Sequence, residues 1–323
     1  MIKRFSEKTV ENMKVIITGG AGFIGSNLAQ YWVERGSEVV VIDSLRTGFE
    51  KNISEFKEIK FFKRSITDRD FVFDALKGAD YVFNLAALVS VPESVEKPEE
   101  TYDININGLR NLLDAARENG IKKLVHTSSA AIYGDDPRMP KVESMEAKPI
   151  SPYGATKYGG EVLCNEYLKK YGVQTISLRY FNVYGPKQNP FGAYTSVIPI
   201  FSLKALKKEP MVIYGDGEQT RDFVYVKDVV AANVLAAETA GVNGVFNVAN
   251  GETISINELA HKINNITGAG CEIIYQPPRT GDIKHSSASV EKAKKELNFT
   301  GKNDLDEGLA VTIDYYRKEL EKK

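Results

Sequence analysis

The chain has 323 residues, 42 Lys+Arg against 43 Asp+Glu, a formal net charge of -1, two cysteines and three histidines. That length suits two lobes or one elaborated domain, and the even charge leaves no basic stripe for nucleic acid. Cys164 and Cys271 read as reduced thiols, His126, His261 and His285 form no metal-binding pattern, and no apolar run reaches the roughly 18 residues of a membrane span.

Residues 1–12 (MIKRFSEKTVEN) are charged and lack an apolar core, so they read as an extension rather than a signal peptide, with Met13 as an alternative start. A cytoplasmic location is expected. Lys14–Thr18 (KVIIT) is a short buried-type strand ending in glycines, and helical sequence follows over 24–35. Further strands are expected at 38–43, 59–63, 81–85, 123–127, Thr175–Tyr180 and 245–249, with helices at 106–119 and 153–171 between them. Val- and Ile-rich strands without polar alternation suit a parallel sheet covered on both faces. Repeated strand–helix units then give an α/β, Rossmann-type doubly wound fold. After Tyr180 the sequence turns rich in Pro, Gly, Tyr and Asn. The expected division is therefore interleaved: 13–181 plus 222–250 as a dinucleotide-binding domain, and 182–221 plus 251–323 as a smaller substrate lobe.

The glycines lie where their chemistry requires. Gly19, Gly22 and Gly25, within Thr18–Gly25, follow a strand and open a helix. Such glycines allow a tight turn and bring backbone N–H groups close to a pyrophosphate. Asp43 ends the next strand and can accept hydrogen bonds from an adenosine ribose, which favours NAD over NADP. Arg46, three residues on, keeps NADP open. Ser129 stands at the end of the fifth strand, where ligands bind in open α/β sheets.

Tyr153 and Lys157 are four apart, so one helix face carries both. Ser151 suits the N-cap and Pro152 the first helical position. An ammonium fixed beside a phenol is expected to lower the phenol's pKa from about 10 and let it act as a base.

With Thr18–Gly25, Asn84-Leu85-Ala86-Ala87, Ser128–Gly134, Tyr153–Lys157, Leu178–Gly185 and Arg221-Asp222-Phe223, the chain resembles the extended short-chain dehydrogenase/reductase family. Within it, the resemblance is to NAD-dependent UDP-sugar 4-epimerases, and it runs from about Met13 to the C-terminus. It implies a tightly held NAD contacted by Gly19, Gly22, Phe23, Ile24, Gly25, Asp43, Ser44, Thr47, Gly48, Ser65, Ile66, Leu85, Ala86, Ala87, Tyr153, Lys157, Tyr180 and Phe181. Ser129, Tyr153 and Lys157 match the catalytic trio. Asn182, Val197, Tyr214, Arg221, Arg279 and Asp282 match positions holding the nucleotide. No metal is implied. A homodimer through the helices near 100–118 and 153–171 is expected.

Departures from the family pattern are informative. Ser65, followed by Ile66, stands where some relatives carry an acidic adenine contact, Asn84 replaces a frequent His, and Val89 a Lys. Related 4,6-dehydratases place Asp-Glu after the hydroxyl residue; here Ala130-Ala131 stand there, which disfavours dehydration. Ser286 aligns with a pocket wall that is Tyr in epimerases restricted to unacetylated sugars. The resemblance thus implies reversible C4 epimerisation of UDP-GlcNAc/UDP-GalNAc, of UDP-Glc/UDP-Gal, or of both. A UDP-glucuronate 4-epimerase or another nucleotide-sugar oxidoreductase is the alternative, and a non-catalytic NAD-binding protein is disfavoured by the intact Tyr153 and Lys157.

Overall fold

A computed structural model describes residues 13–191, 196–278, 284–301 and 303–322. The elements run in chain order as β1 (Lys14–Thr18), α1 (Phe23–Glu34), β2 (Glu38–Ile42), β3 (Lys60–Phe62), α2 (Arg69–Ala75), β4 (Tyr81–Asn84), α3 (Val91–Glu96), α4 (Pro98–Tyr102), α5 (Gly108–Asn119), β5 (Lys123–Ser129), α6 (Pro152–Tyr171) and β6 (Thr175–Tyr180). They continue as β7 (Asn182–Tyr184), α7 (Val197–Leu206), β8 (Met211–Tyr214), β9 (Thr220–Arg221), β10 (Phe223–Tyr225), α8 (Val226–Glu238), β11 (Gly244–Val248), β12 (Ile254–Ser255), α9 (Ile256–Thr267), β13 (Ile273–Gln276), β14 (His285–Ser286), α10 (Glu291–Leu297) and α11 (Leu305–Glu321).

Seven parallel strands form the main sheet in the order β11-β6-β5-β4-β1-β2-β3. The expected doubly wound fold is present. Connections reverse direction between β1 and β4, and the crevice at such a switch point is where open α/β sheets bind ligands. The strands read as unbroken apolar runs because both faces are covered. Leu28 and Trp32 of α1 and Val229 of α8 pack on one face; Val72 of α2, Leu109 and Leu112 of α5 and Cys164 of α6 pack on the other. Trp32 is fully buried against Tyr81 and Phe83, a burial that contributes about 2–3 kcal/mol. A separate core joins α7, α9 and α11 through Phe201, Leu259, Ile263, Leu309 and Ile313.

The start of α6 follows its sequence. Ser151 Oγ accepts from the Gly154 amide at 3.1 Å, Pro152 takes the first turn, and Gly172 ends the helix in left-handed geometry. Differences from expectation are local. The helix expected at 106–119 begins at Gly108, preceded by a π turn over Asp103–Asn107 that runs on from α4. The strands β7 and β10 pair in parallel outside the main sheet; β7 lies in the loop-like stretch after Tyr180, and β10 at the start of the segment expected to return to the sheet domain. Cys164 and Cys271 are free thiols. Among the described residues no helix is long and apolar enough to cross a membrane, and no His, Cys, Asp and Glu cluster could hold a metal.

Candidate active site

Four backbone ends meet above the β1/β4 crevice. Gly19 has φ +67°, and a Cβ there would sit 2.7 Å from the Ala86 amide nitrogen and 2.8 Å from the Leu85 carbonyl carbon. A side chain is therefore excluded by strain and by contact. At Gly25 a Cβ would overlap the Gly19 carbonyl oxygen, so α1 can lie this close only with glycine. The helix opens at Phe23 with no side-chain cap and no acidic residue in its first turn. Its free N–H groups and dipole thus face the crevice, which suits a phosphate. Phe23 and Ile24 are half-buried on that turn.

Asp43 is buried at the end of β2. Its carboxylate accepts from the Ala21 amide at 3.0 Å and from the Leu45 amide at 2.8 Å. Burial raises its pKa, opposed by those two bonds. Gly48 is buried against the carboxylate, while Ser44 and Thr47 are exposed on the same loop. Leu85, Ala86 and Ala87 follow β4, and the Ala86 amide donates to Thr18 Oγ1 at 3.3 Å. Ser65 Oγ pairs with Thr67 Oγ1, and Ile66 is buried with its carbonyl held by Asn111. A glycine cradle, a bare helix start and a buried carboxylate at the neighbouring strand end fit a dinucleotide.

On the other side of the crevice, Ser129 ends β5 and its Oγ accepts from the Ala131 amide at 3.2 Å. The Ser129 side chain acts on the Tyr153 phenol, favouring its ionised form. Lys157, one turn along α6, is 2% exposed and donates to the Thr127 carbonyl at 2.7 Å. Its ammonium lies 5.8 Å from the Tyr153 ring centroid. The trio is therefore assembled, but the expected depression of the phenol is not found. Loss of solvent raises the Tyr153 pKa, with Ser129 opposing. Burial also brings the Lys157 ammonium down to about 8. Desolvation is the larger effect at both groups.

The supporting groups were not read from sequence. Asn105, inside the π turn, donates to the Leu88 carbonyl and to Thr156 Oγ1 and accepts from the Leu88 amide. It ties the segment after β4 to α6, and π turns within helices are frequent at functional sites. Behind Ser129, the buried Arg179 forks onto Glu161 at 2.8 and 2.7 Å, and Ser128 Oγ donates to the same carboxylate at 2.5 Å. Arg179 also donates to Tyr133 Oη, which donates to Asn247. Tyr180 is buried with its hydroxyl bonded to Thr127 and Asn233, and Phe181 is buried near Tyr133.

Substrate-lobe positions divide into two groups. Asn182 Nδ2 donates to the Asp222 carbonyl at 3.2 Å, and Arg221 and Ser286 are register partners in neighbouring strands. The buried Asp222 carboxylate accepts from the Asn250 and Gly251 amides and so fixes this junction; burial raises it to about 6. Tyr214 ends β8, and Val197, half-buried, starts α7. Arg279, Asp282 and residues 1–12 lie outside the described residues.

The chain matches the NAD dependent epimerase/dehydratase family over residues 15–249. Among solved structures it is similar to the UDP-N-acetylglucosamine 4-epimerase of Methanobrevibacter ruminantium in complex with UDP-N-acetylmuramic acid. That likeness has TM-score 0.92 and 39% identity, over 95% of this chain and 99% of that one. The UDP-glucose 4-epimerase of Thermotoga maritima with UDP-glucose gives TM-score 0.91 and 40% identity, over 95% and 100% of the two chains. The Thermus thermophilus UDP-glucose 4-epimerase complex with NAD gives 0.85 and 37%, over 94% and 99%. Fold, motifs and likeness agree: the chain belongs to the NAD dependent epimerase/dehydratase family.

Proposed function

We propose that the protein reversibly inverts C4 of a UDP-hexose through a 4-keto sugar, with NAD tightly bound. The observation that carries this reading is the Ser129–Tyr153–Lys157 cluster beside the Gly19–Gly25 turn. The chemistry supplied by bound NAD is reversible hydride acceptance at C4. Tyr153 takes the proton of the 4-hydroxyl on the oxidising step and returns it on the reducing step. Ser129 hydrogen-bonds the reacting oxygen. Lys157, with two N–H groups beyond its bond to Thr127, holds the cofactor ribose. Gly19, Gly22, Gly25, Asp43 and the backbone of 85–87 hold the rest of the dinucleotide.

Between the two hydride steps the keto sugar turns over, so the grip must fall on the UDP. Asn182, Val197, Tyr214, Arg221, Arg279 and Asp282 are proposed to supply it, the arginines toward the phosphates. Ala130-Ala131 leave no acid/base pair for dehydration. Ser286, beside Arg221 in the sheet, leaves room for a 2-N-acetyl group, so UDP-GlcNAc/UDP-GalNAc are proposed substrates alongside UDP-Glc/UDP-Gal. The interleaved division of the chain is carried into this reading. Exposed Tyr102, and exposed Tyr158 and Val162 on α6, support a homodimer through the helices near 100–118 and 153–171. A cytoplasmic setting is proposed with it.

Purified protein incubated with a UDP-sugar panel, without added NAD, should yield C4 epimers on chromatography. The Tyr153→Phe variant should lose turnover while releasing the same NAD on denaturation. Wild-type protein inert on every UDP-hexose, UDP-glucuronate included, defeats the reading. Ser286→Tyr should reduce turnover of the acetylated pair selectively, by about tenfold or more for a steric clash of this kind; an equal loss on both pairs removes Ser286 from sugar selection.

A further inference from the structure

The loop after β2 carries a cation that the proposed reaction does not use. Arg46 lies three residues beyond Asp43, on the segment whose turn at Leu45 has φ +60° and whose Phe49 amide donates to the Ala21 carbonyl at 3.0 Å. An arginine at this place normally equips a dinucleotide site for the extra phosphate of NADP. Here its guanidinium is engaged elsewhere. Nη2 donates to Glu93 Oε1 at 2.7 Å and to Glu100 Oε2 at 3.1 Å, and Nη1 donates to Glu100 Oε1. Lys97 Nζ donates to Glu93 Oε1 at 3.2 Å. Arg46 and Lys97 are thus paired with Glu93 and Glu100.

We infer that Glu93 and Glu100 determine the cofactor, by holding Arg46 as an ion pair and so denying it to a 2′-phosphate. This rests on the reading that the crevice binds NAD. The two carboxylates occupy the fork of donors that would clasp the phosphate. They also join the loop over the glycine turn to α3 and α4, neither of which belongs to the glycine turn. Neither carboxylate needs to touch the cofactor.

The test uses the purified holoprotein, exchanged against equal NAD and NADP and then denatured, with the released nucleotides separated by chromatography. Wild-type protein should release NAD almost alone. Glu93→Gln with Glu100→Gln should raise the NADP:NAD ratio about tenfold to a hundredfold, the effect of one or two charge-assisted hydrogen bonds gained. Adding Arg46→Ala should return the ratio to the wild-type value. An unchanged ratio in the double variant overturns the inference, and so does a rise that persists without Arg46. Wild-type protein releasing no dinucleotide overturns the NAD reading and this inference together, a result distinct from an unchanged ratio.

Discussion

Replacing Lys157 with methionine should stabilise the nucleotide-free protein at pH 7 while abolishing its activity. Lys157 is 2% exposed, and burial lowers its ammonium from 10.5 to about 8. That gap corresponds to about 3 kcal/mol. The folded pKa is the lower one, so the unfolded chain binds this proton more tightly. Below pH 8 both states carry the proton and the folded state bears the whole penalty. Between 8 and 10.5 the folded lysine loses its proton first, and the penalty fades. Methionine has similar length and no charge, so it escapes the penalty at every pH. Against this gain stands the bond to the Thr127 carbonyl at 2.7 Å, whose loss costs about 1–3 kcal/mol. The net is about 0–2 kcal/mol in favour of the variant. Unfolding entropy near 2.1 cal/mol/K per residue, over 323 residues, converts that into a Tm rise of up to about 3 °C. Thermal unfolding from pH 6 to 9.5 measures it, and the advantage should shrink above pH 8. A variant less stable than wild type at pH 7, or a difference flat across that range, refutes the argument.

Two further outcomes test the groups around the trio. Glu161→Gln should cost about 3–5 kcal/mol, because it leaves the Arg179 guanidinium buried without its carboxylate. Methionine at both 161 and 179 should cost at least 2 kcal/mol less than the sum of the two single methionine changes in urea unfolding; strict additivity means the pair is not coupled. Gly25→Ala should destabilise by about 1–3 kcal/mol and lower the NAD content of purified protein, because its Cβ would sit 2.7 Å from Gly20 Cα and overlap the Gly19 carbonyl. Full NAD content with unchanged stability removes close helix–turn packing from the binding argument.

The parts legible in sequence are those whose signal is local. Thr175–Tyr180 is a strand over the residues expected, and α6 starts at its Ser-Pro cap. Gly19 and Gly25 announced a turn because only backbone contact demands glycine there. What stayed hidden depends on residues distant in the chain. Strands such as β9 and β14, of two residues each, carry no periodicity to read. Asn105 looks like any helical asparagine until Leu88, 17 residues away, supplies its partner. Glu161 and Arg179 meet only because α6 packs across β5 and β6. Arg46 was visible, but the carboxylates that neutralise it lie 47 and 54 residues on.

The phenol shows most clearly where spacing stops informing chemistry. Four residues between Tyr153 and Lys157 place both on one face of α6, yet the ammonium's direction is decided by the Thr127 carbonyl on β5. The helix itself is held by backbone contacts: the Tyr153 amide donates to Ser94 Oγ at 3.1 Å, and a Cβ on Gly154 would lie 2.9 Å from the Ala131 carbonyl oxygen. These contacts fix the start of α6 against the Ser129 strand end, and both Tyr153 and Lys157 ride on that one helix. Because burial raises the phenol, a positive charge brought close to it would lower it. The site thus presents a fixed hydroxyl pair, Ser129 and Tyr153, whose proton affinity is left to be set by what binds above it.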